Sequence, residues 1–177
     1  MTCTVSEEMP GRRSGHSTAI IGAAGEHYVL FQLLRRGLKA ARPPEGTPEI
    51  DLIVFDERQN VIISLQVKTR SRGSDGGFHM NIKHESLDSE RLVYVFVDLQ
   101  SEIPRCYVIP SKVVSRYLRL DHSTWLATPG RGGKAHRQTP MRRLRPYSPF
   151  AASEFPRGWM DEYLERWDLL ESLTSKT

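Results

Sequence analysis

The sequence predicts an α/β sandwich in three layers, with a central mixed β-sheet and helices on both faces. Leu92-Val93-Tyr94-Val95-Phe96-Val97-Asp98-Leu99 is almost continuously apolar, as expected of a strand buried on both sides. Two β-rich runs, Ile50–Phe55 and Val61–Lys68, flank the polar stretch Asp56-Glu57-Arg58-Gln59-Asn60 and read as a hairpin. A helix-forming segment precedes the hairpin and another follows Cys106–Pro110, so strands and helices alternate along the chain.

Taken in order, residues 1–16 lack periodicity and read as a mobile leader. Ser17 or Thr18 is suited to cap a helix that runs to Arg36, with Gly37 at its C′ position. Gly22 and Gly25 lower helix propensity there, and close packing near Glu26 is a reason to keep them. A first strand is expected over 38–42. The proline-rich loop Ala41–Pro48 then delivers the chain to Asp51 and the hairpin. Thr69–Gly77 is a polar, glycine-rich loop. Ser111 is expected to cap a helix from Lys112 to Leu120. From Asp121 to Pro156 periodicity is lost, although Trp125, Met141, Leu144, Tyr147 and Phe150 can dock this stretch onto the body. Trp159, Tyr163, Trp167, Leu170 and Leu173 recur at helical spacing and predict a final amphipathic helix. The expected organisation is a leader (1–16), a core (17–120) and an extension (121–177) docked on that core.

A chain of 177 residues can bury one real core, and 38% hydrophobic with 26% charged residues suits a soluble globular protein. No apolar run approaches the roughly 20 residues that cross a bilayer. The N-terminus, with Glu7, Glu8, Arg12 and Arg13, does not read as a secretory signal. Cys3 and Cys106 make neither a zinc cluster nor an expected disulfide. The cytoplasm is the expected location. A net charge of +4 permits a polyanionic partner without requiring one.

The hairpin carries the chemistry. Pairing Asp56 with Val61 sets Asp51 opposite Gln66 and Glu49 opposite Lys68. Alternation along a strand then places all four side chains on one face. A carboxylate, an amide oxygen and an ammonium would converge there, with a second carboxylate beside them. Such a group suits a hard metal ion and a water. A one-residue slip would scatter it, and an ordinary solvated hairpin is the alternative.

Asp51 followed by Gln66-Val67-Lys68, with Glu26 on the upstream helix, resembles the PD-(D/E)XK nuclease superfamily. In that pattern an aspartate begins the second core strand, and the acidic residue and lysine sit on the third. The resemblance spans residues 17–110. Gln66 replaces the usual acid, as in the Mrr-like and Holliday junction resolvase-like branches. Pro48 stands three positions before Asp51 rather than next to it. The resemblance implies a restriction-endonuclease-like fold and DNA as substrate. It also implies Mg²⁺ (or Mn²⁺) held by Asp51, Gln66 and the Val67 carbonyl, with Glu26 acting through water. Lys68 would orient the attacking water. Glu49 is a lesser candidate for the task of Glu26. Gln66 removes one negative charge from this metal site.

Residues 131–145 contain Arg131, Lys134, Arg137, Arg142, Arg143 and Arg145 and no acidic residue. Phosphate contact is one reading. Pairing with the acidic C-terminal helix is the other. Arg70 and Arg72, at the start of the glycine-rich loop, are further phosphate candidates. Gly130–Lys134 is not a phosphate-binding loop, because Ala135 stands where Ser or Thr is needed. Asp121-His122 lacks the later asparagine of a ββα-metal nuclease. The reading that results is a metal-dependent DNA nuclease in a restriction or DNA-processing setting. A nuclease fold that binds nucleic acid or protein without cutting is the alternative. A junction-recognising dimer joined through the C-terminal helix is a third.

Overall fold

The computed structural model describes residues 17–71 and 76–174. The elements are α1 (Thr18–Leu34), β1 (Lys39–Ala41), β2 (Leu52–Phe55), β3 (Val61–Arg70), β4 (Phe78–Asn81), β5 (Leu92–Asp98), β6 (Arg105–Pro110), α2 (Ser111–Ala127), β7 (Met141–Leu144) and α3 (Asp168–Thr174). Short 3₁₀ turns lie at Ile82–Glu85, Arg131–Gly133 and Asp161–Tyr163. Five strands form the central sheet in the order β1-β2-β3-β5-β6. Strands β3 and β5 are parallel and every other pair is antiparallel, so the sheet is mixed as expected.

Helix α1 begins where Ser17 Oγ accepts the Ile20 amide at 3.3 Å, and Gly37 takes the left-handed conformation (φ 79) just beyond its end. Gly25 is buried against β3. A Cβ built there would lie 1.9 Å from Thr69 Oγ1, so only glycine allows this approach. Gly22 has open space around its Cβ position and carries no such constraint.

One face of the sheet packs Val54, Leu65, Val67, Val93 and Val95 against Val29 and Leu33 of α1 and Trp167 and Leu170 at the C-terminus. The other packs Tyr94, Phe96, Tyr107 and Ile109 against Val114, Tyr117 and Leu118 of α2. Every residue of β5 is buried, because both faces are covered.

Three expectations need correction. Helix α2 continues past Leu120 to Ala127, and Ser111 is its first residue rather than its cap; its hydroxyl donates to Ser89 O at 2.6 Å. Asp121 to Thr124 have modest helix propensity, and packing of Leu118 and Leu120 in the core together with the Trp125–His136 stack overrides it. Secondly, β4 and β7 form an unforeseen two-stranded sheet, Phe78↔Leu144 through Asn81↔Met141. Each is only four residues long, and the partners lie far apart in sequence, so no local turn announces the pairing.

Thirdly, the final amphipathic helix is broken. Residues 161–163 form a 3₁₀ turn and Glu165 is left-handed (φ 53) before α3 begins. Glu165 N–H donates to Cys106 O at 2.7 Å, while Glu165 Oε1 accepts the Cys106 amide at 2.8 Å. The chain thus latches onto the outer edge of β6. It crosses there from one core to the other: Trp159 packs beside α2 and Trp167 beneath α1. Trp159, Trp167 and Leu170 are buried in these cores. Buried Cys106 is a free thiol, and Cys3 lies outside the described residues. No described helix is long and apolar enough to cross a membrane.

Candidate active site

The pairing of β2 with β3, Leu52↔Leu65 through Val54↔Ile63, has the expected register at the Asp51 end. A bulge at Val54/Phe55 brings Phe55, not Asp56, opposite Val61. The cause is the turn: Asp56 accepts the Arg58 and Asn60 amides at 2.8 Å each, and Gln59 is left-handed (φ 66). The irregularity stays away from Asp51. There the backbone N–H of Asp51 donates to Leu65 O at 2.9 Å, and its Oδ2 accepts the Val67 amide at 2.7 Å.

Strand geometry explains this second bond. Ser64 N–H points toward Arg91, ahead of β5, whereas Leu65 O meets Asp51 on the β2 side. Val67 lies two residues beyond Leu65, so its N–H and C=O face the β2 edge past the point where β2 ends. The Gln66 amide satisfies both its polar atoms when its oxygen accepts from Lys68 Nζ at 3.0 Å and its nitrogen donates to Glu49 O at 3.1 Å. In that orientation the amide oxygen is 3.5 Å from Asp51 Oδ2. Asp51, Gln66 and Lys68 therefore meet on the α2 face of the sheet. Gln66 is 5% exposed.

Burial pushes the Lys68 pKa below its ordinary value; the Asp51 carboxylate opposes this and nearby Lys83 adds repulsion. Lys83 and His84 come from the Ile82–Glu85 turn, which nothing in the sequence marked as part of the site. His84 is buried, with Nδ1 2.9 Å from Tyr94 Oη. Burial and the neighbouring Lys68 and Lys83 outweigh Glu49 and push its pKa down to about 4. Glu49 is not reached by extending β2. It is left-handed (φ 64), and its Oε1 pairs with Lys83 Nζ at 2.5 Å.

Glu26 and Asp51 line one cleft of roughly 470 Å³, together with Arg42, Thr47 and Ile50. Glu26 Oε2 is bound to the Arg42 guanidinium at 2.9 Å. Arg42, inside the proline-rich loop, also escaped the sequence reading. Among the described residues no three His, Cys, Asp or Glu side chains are grouped to hold a metal. The oxygens that meet at the hairpin are those of the Asp51 carboxylate and the Gln66 amide, both hard donors of the kind Mg²⁺ takes.

The basic candidates separate. Arg131, Lys134 and Arg137 are exposed. His136, among them, stacks on Trp125 of α2 with ring centres 4.1 Å apart. Pro140 O accepts the Ile82 amide at 2.8 Å, which ties this segment to the turn carrying Lys83. Arg143 lies half-buried beside His122 and Trp125. Two expectations are overturned. Arg70 is bound to Asp98 at 2.6 Å and lies over the Phe78 ring, with only 9% of its side chain exposed. Arg142 is 3% exposed, pairs with Glu85 and donates to Thr139 O at 2.6 Å. Both guanidiniums hold β4 and β7 in place and are not presented to a phosphate. Arg72 lies outside the described residues.

No family model matches the chain, and no curated protein resembles it in sequence. Among solved structures it is similar to a bacterial homing endonuclease, I-Ssp6803I, with a TM-score of 0.50 and 17% identity over 90% of this chain and 96% of that one. The fold is restriction-endonuclease-like. At this identity the likeness concerns the fold alone. It agrees with the mixed five-stranded sheet between helical layers.

Proposed function

We propose that the protein is a Mg²⁺- or Mn²⁺-dependent endonuclease that hydrolyses phosphodiester bonds in DNA, in a restriction or DNA-processing setting. The observation that carries this reading is the meeting of Asp51, Gln66 and Lys68 at the open end of a hairpin, in a nuclease-like fold. Asp51, the Gln66 oxygen and the Val67 carbonyl would hold the metal. Glu26 would act through water once Arg42 turned to the substrate. A bound divalent ion supplies polarisation of the phosphodiester and a more acidic water.

Lys68 stands next to this oxygen set and does two things. Its ammonium stabilises negative charge that builds on the phosphoryl oxygens in the transition state. Its lowered pKa also makes a neutral amine more accessible near neutrality, so it can take a proton from the attacking water. The buried position protects both roles from screening by salt.

A second reading is a nuclease fold that binds DNA without cutting. The Arg42 guanidinium on Glu26 and the neutral Gln66 favour it, since together they leave one uncommitted carboxylate at the hairpin. Incubation of supercoiled and linear DNA with the protein and Mg²⁺ or Mn²⁺ separates the readings. Cleavage that disappears with EDTA, and in folded Asp51→Ala and Lys68→Ala variants, supports the nuclease. Retention of DNA with no cleavage under any divalent ion supports the binding module.

A further inference from the structure

The site has a carboxylate that neither reading uses. Glu49 sits two residues before Asp51, outside β2, in a left-handed conformation (φ 64). For a non-glycine residue that backbone is strained, and such strain persists only where its surroundings enforce it. Here they do so from two sides. The Glu49 carbonyl accepts the Gln66 amide at 3.1 Å, and its Oε1 accepts from Lys83 at 2.5 Å. The other carboxylate oxygen, Oε2, is buried without a hydrogen-bond partner. Buried carboxylate oxygens left unpaired are costly, and each instance in a folded protein calls for a reason.

Glu49 and Asp51 both lie beside the one Gln66 amide, at the hairpin site. The Glu49 carboxylate acts electrostatically on Lys68, His84 and Tyr94, all on the α2 face where Asp51 and Gln66 meet. Glu26 differs, being held by a guanidinium within the cleft beneath Arg42.

We propose that Glu49 supplies the second carboxylate of the metal site, replacing the charge that Gln66 lacks, and that Lys83 is the cation that holds it in place until the metal enters. The proposal rests on the nuclease reading. It assigns the oxygen donors to two carboxylates, Asp51 and Glu49; between these residues the Gln66 nitrogen donates to the Glu49 backbone carbonyl, and the Gln66 oxygen lies 3.5 Å from Asp51 Oδ2. Lys83 is largely exposed and can swing outward without breaking the fold. Its departure exchanges an ammonium for a divalent ion at the same carboxylate, so metal and lysine compete.

Competition predicts opposite signs for two substitutions. Mn²⁺ is titrated calorimetrically into the metal-free full chain, its Glu49→Gln and Lys83→Ala variants, and the double variant Glu49→Gln/Gln66→Glu, each first checked for an unchanged circular dichroism spectrum. Glu49→Gln is expected to weaken Mn²⁺ by about ten- to a hundredfold. Lys83→Ala is expected to tighten it, and adding Gln66→Glu to Glu49→Gln to restore most of the loss. Wild-type affinity in Glu49→Gln overturns the proposal and leaves the nuclease reading standing. Weakening by Lys83→Ala overturns it too, because the ion pair would then be scaffolding for the site. Absence of Mn²⁺ binding by the wild type, with DNA present, overturns the proposal and the metal-dependent reading together.

Discussion

Val67 gives its backbone amide to Asp51 Oδ2 at 2.7 Å, so the main chain of β3 fixes the carboxylate at the end of β2. The bond is charge-assisted and belongs to the site whether or not a metal is bound. Asp51→Asn can keep an oxygen on the Val67 amide but loses the charge. The expected result is a melting temperature within a few degrees of wild type with metal-dependent cleavage lost. Asp51→Ala is expected to lose cleavage and also about 1–3 kcal/mol of stability, because a buried amide loses its acceptor. Urea titration alongside a cleavage assay checks both. Cleavage by Asp51→Asn at the wild-type rate would remove Asp51 from the mechanism.

A close approach of backbone to side chain positions Glu26. A Cβ at Gly25 would sit 1.9 Å from Thr69 Oγ1, and Thr69 follows Lys68 on β3. Gly25→Ala therefore has to push α1 off the sheet or drive the threonine from its rotamer. Overpacking of this kind costs about 1–3 kcal/mol, more than the helix propensity that alanine gains. Gly22→Ala meets no atom within 4 Å and is expected to be neutral or stabilising. Thermal melting of the two variants gives opposite signs if the packing is as described.

Much of this site was legible in the sequence because it is built from local pairing. A hairpin register needs only a turn and two alternating runs, and Asp51, Gln66 and Lys68 came together on that basis despite the bulge at Val54/Phe55. Elements held by long-range contacts were not legible. The β4–β7 pair joins segments about sixty residues apart, and each strand is only four residues long. Lys83 and His84 enter the site on a turn set by that pair. The same contacts bury Arg142, which composition alone had placed at the surface. The C-terminal helix failed for another reason. Its apolar residues do recur at helical spacing, but they feed two cores on opposite faces, and the break at Glu165 lets the chain serve both.

His84 links this turn to pH. Its folded pKa is near 4, below the ordinary 6.5, because it is buried beside Lys68 and Lys83, with only Glu49 opposing. The unfolded chain therefore binds a proton between these values while the native state does not. The His84 contribution to stability is full above about pH 6.5, declines as pH falls, and is exhausted below about pH 4. Denaturant unfolding at pH 7 and pH 5 is expected to show a larger drop for the wild type than for His84→Gln, which has no proton to take up. Equal drops in the two proteins would mean that His84 does not titrate across this window.

The exposed basic residues of the 131–145 segment give the last prediction. Arg131, Lys134 and Arg137 face solvent, and the Trp125–His136 stack holds their loop against α2. The Ile82–Pro140 hydrogen bond ties the segment to the turn that brings Lys83 to the hairpin, so under the proposed function a duplex at Asp51 would reach toward this segment. Each phosphate neutralised contributes about 0.9 to the slope of log affinity against log salt. Alanine at all three positions is expected to lower that slope by about 2.7 and to weaken DNA binding regardless of sequence, with the melting temperature unchanged. Arg142→Ala is expected to behave differently. It removes a buried side chain together with its bonds to Glu85 and Thr139 O and costs about 1–3 kcal/mol of stability, so its effect on DNA binding follows loss of fold. Fluorescence anisotropy over a series of salt concentrations, with melting curves for both proteins, checks the pair. A triple variant with the wild-type slope would mean that the DNA path avoids this segment.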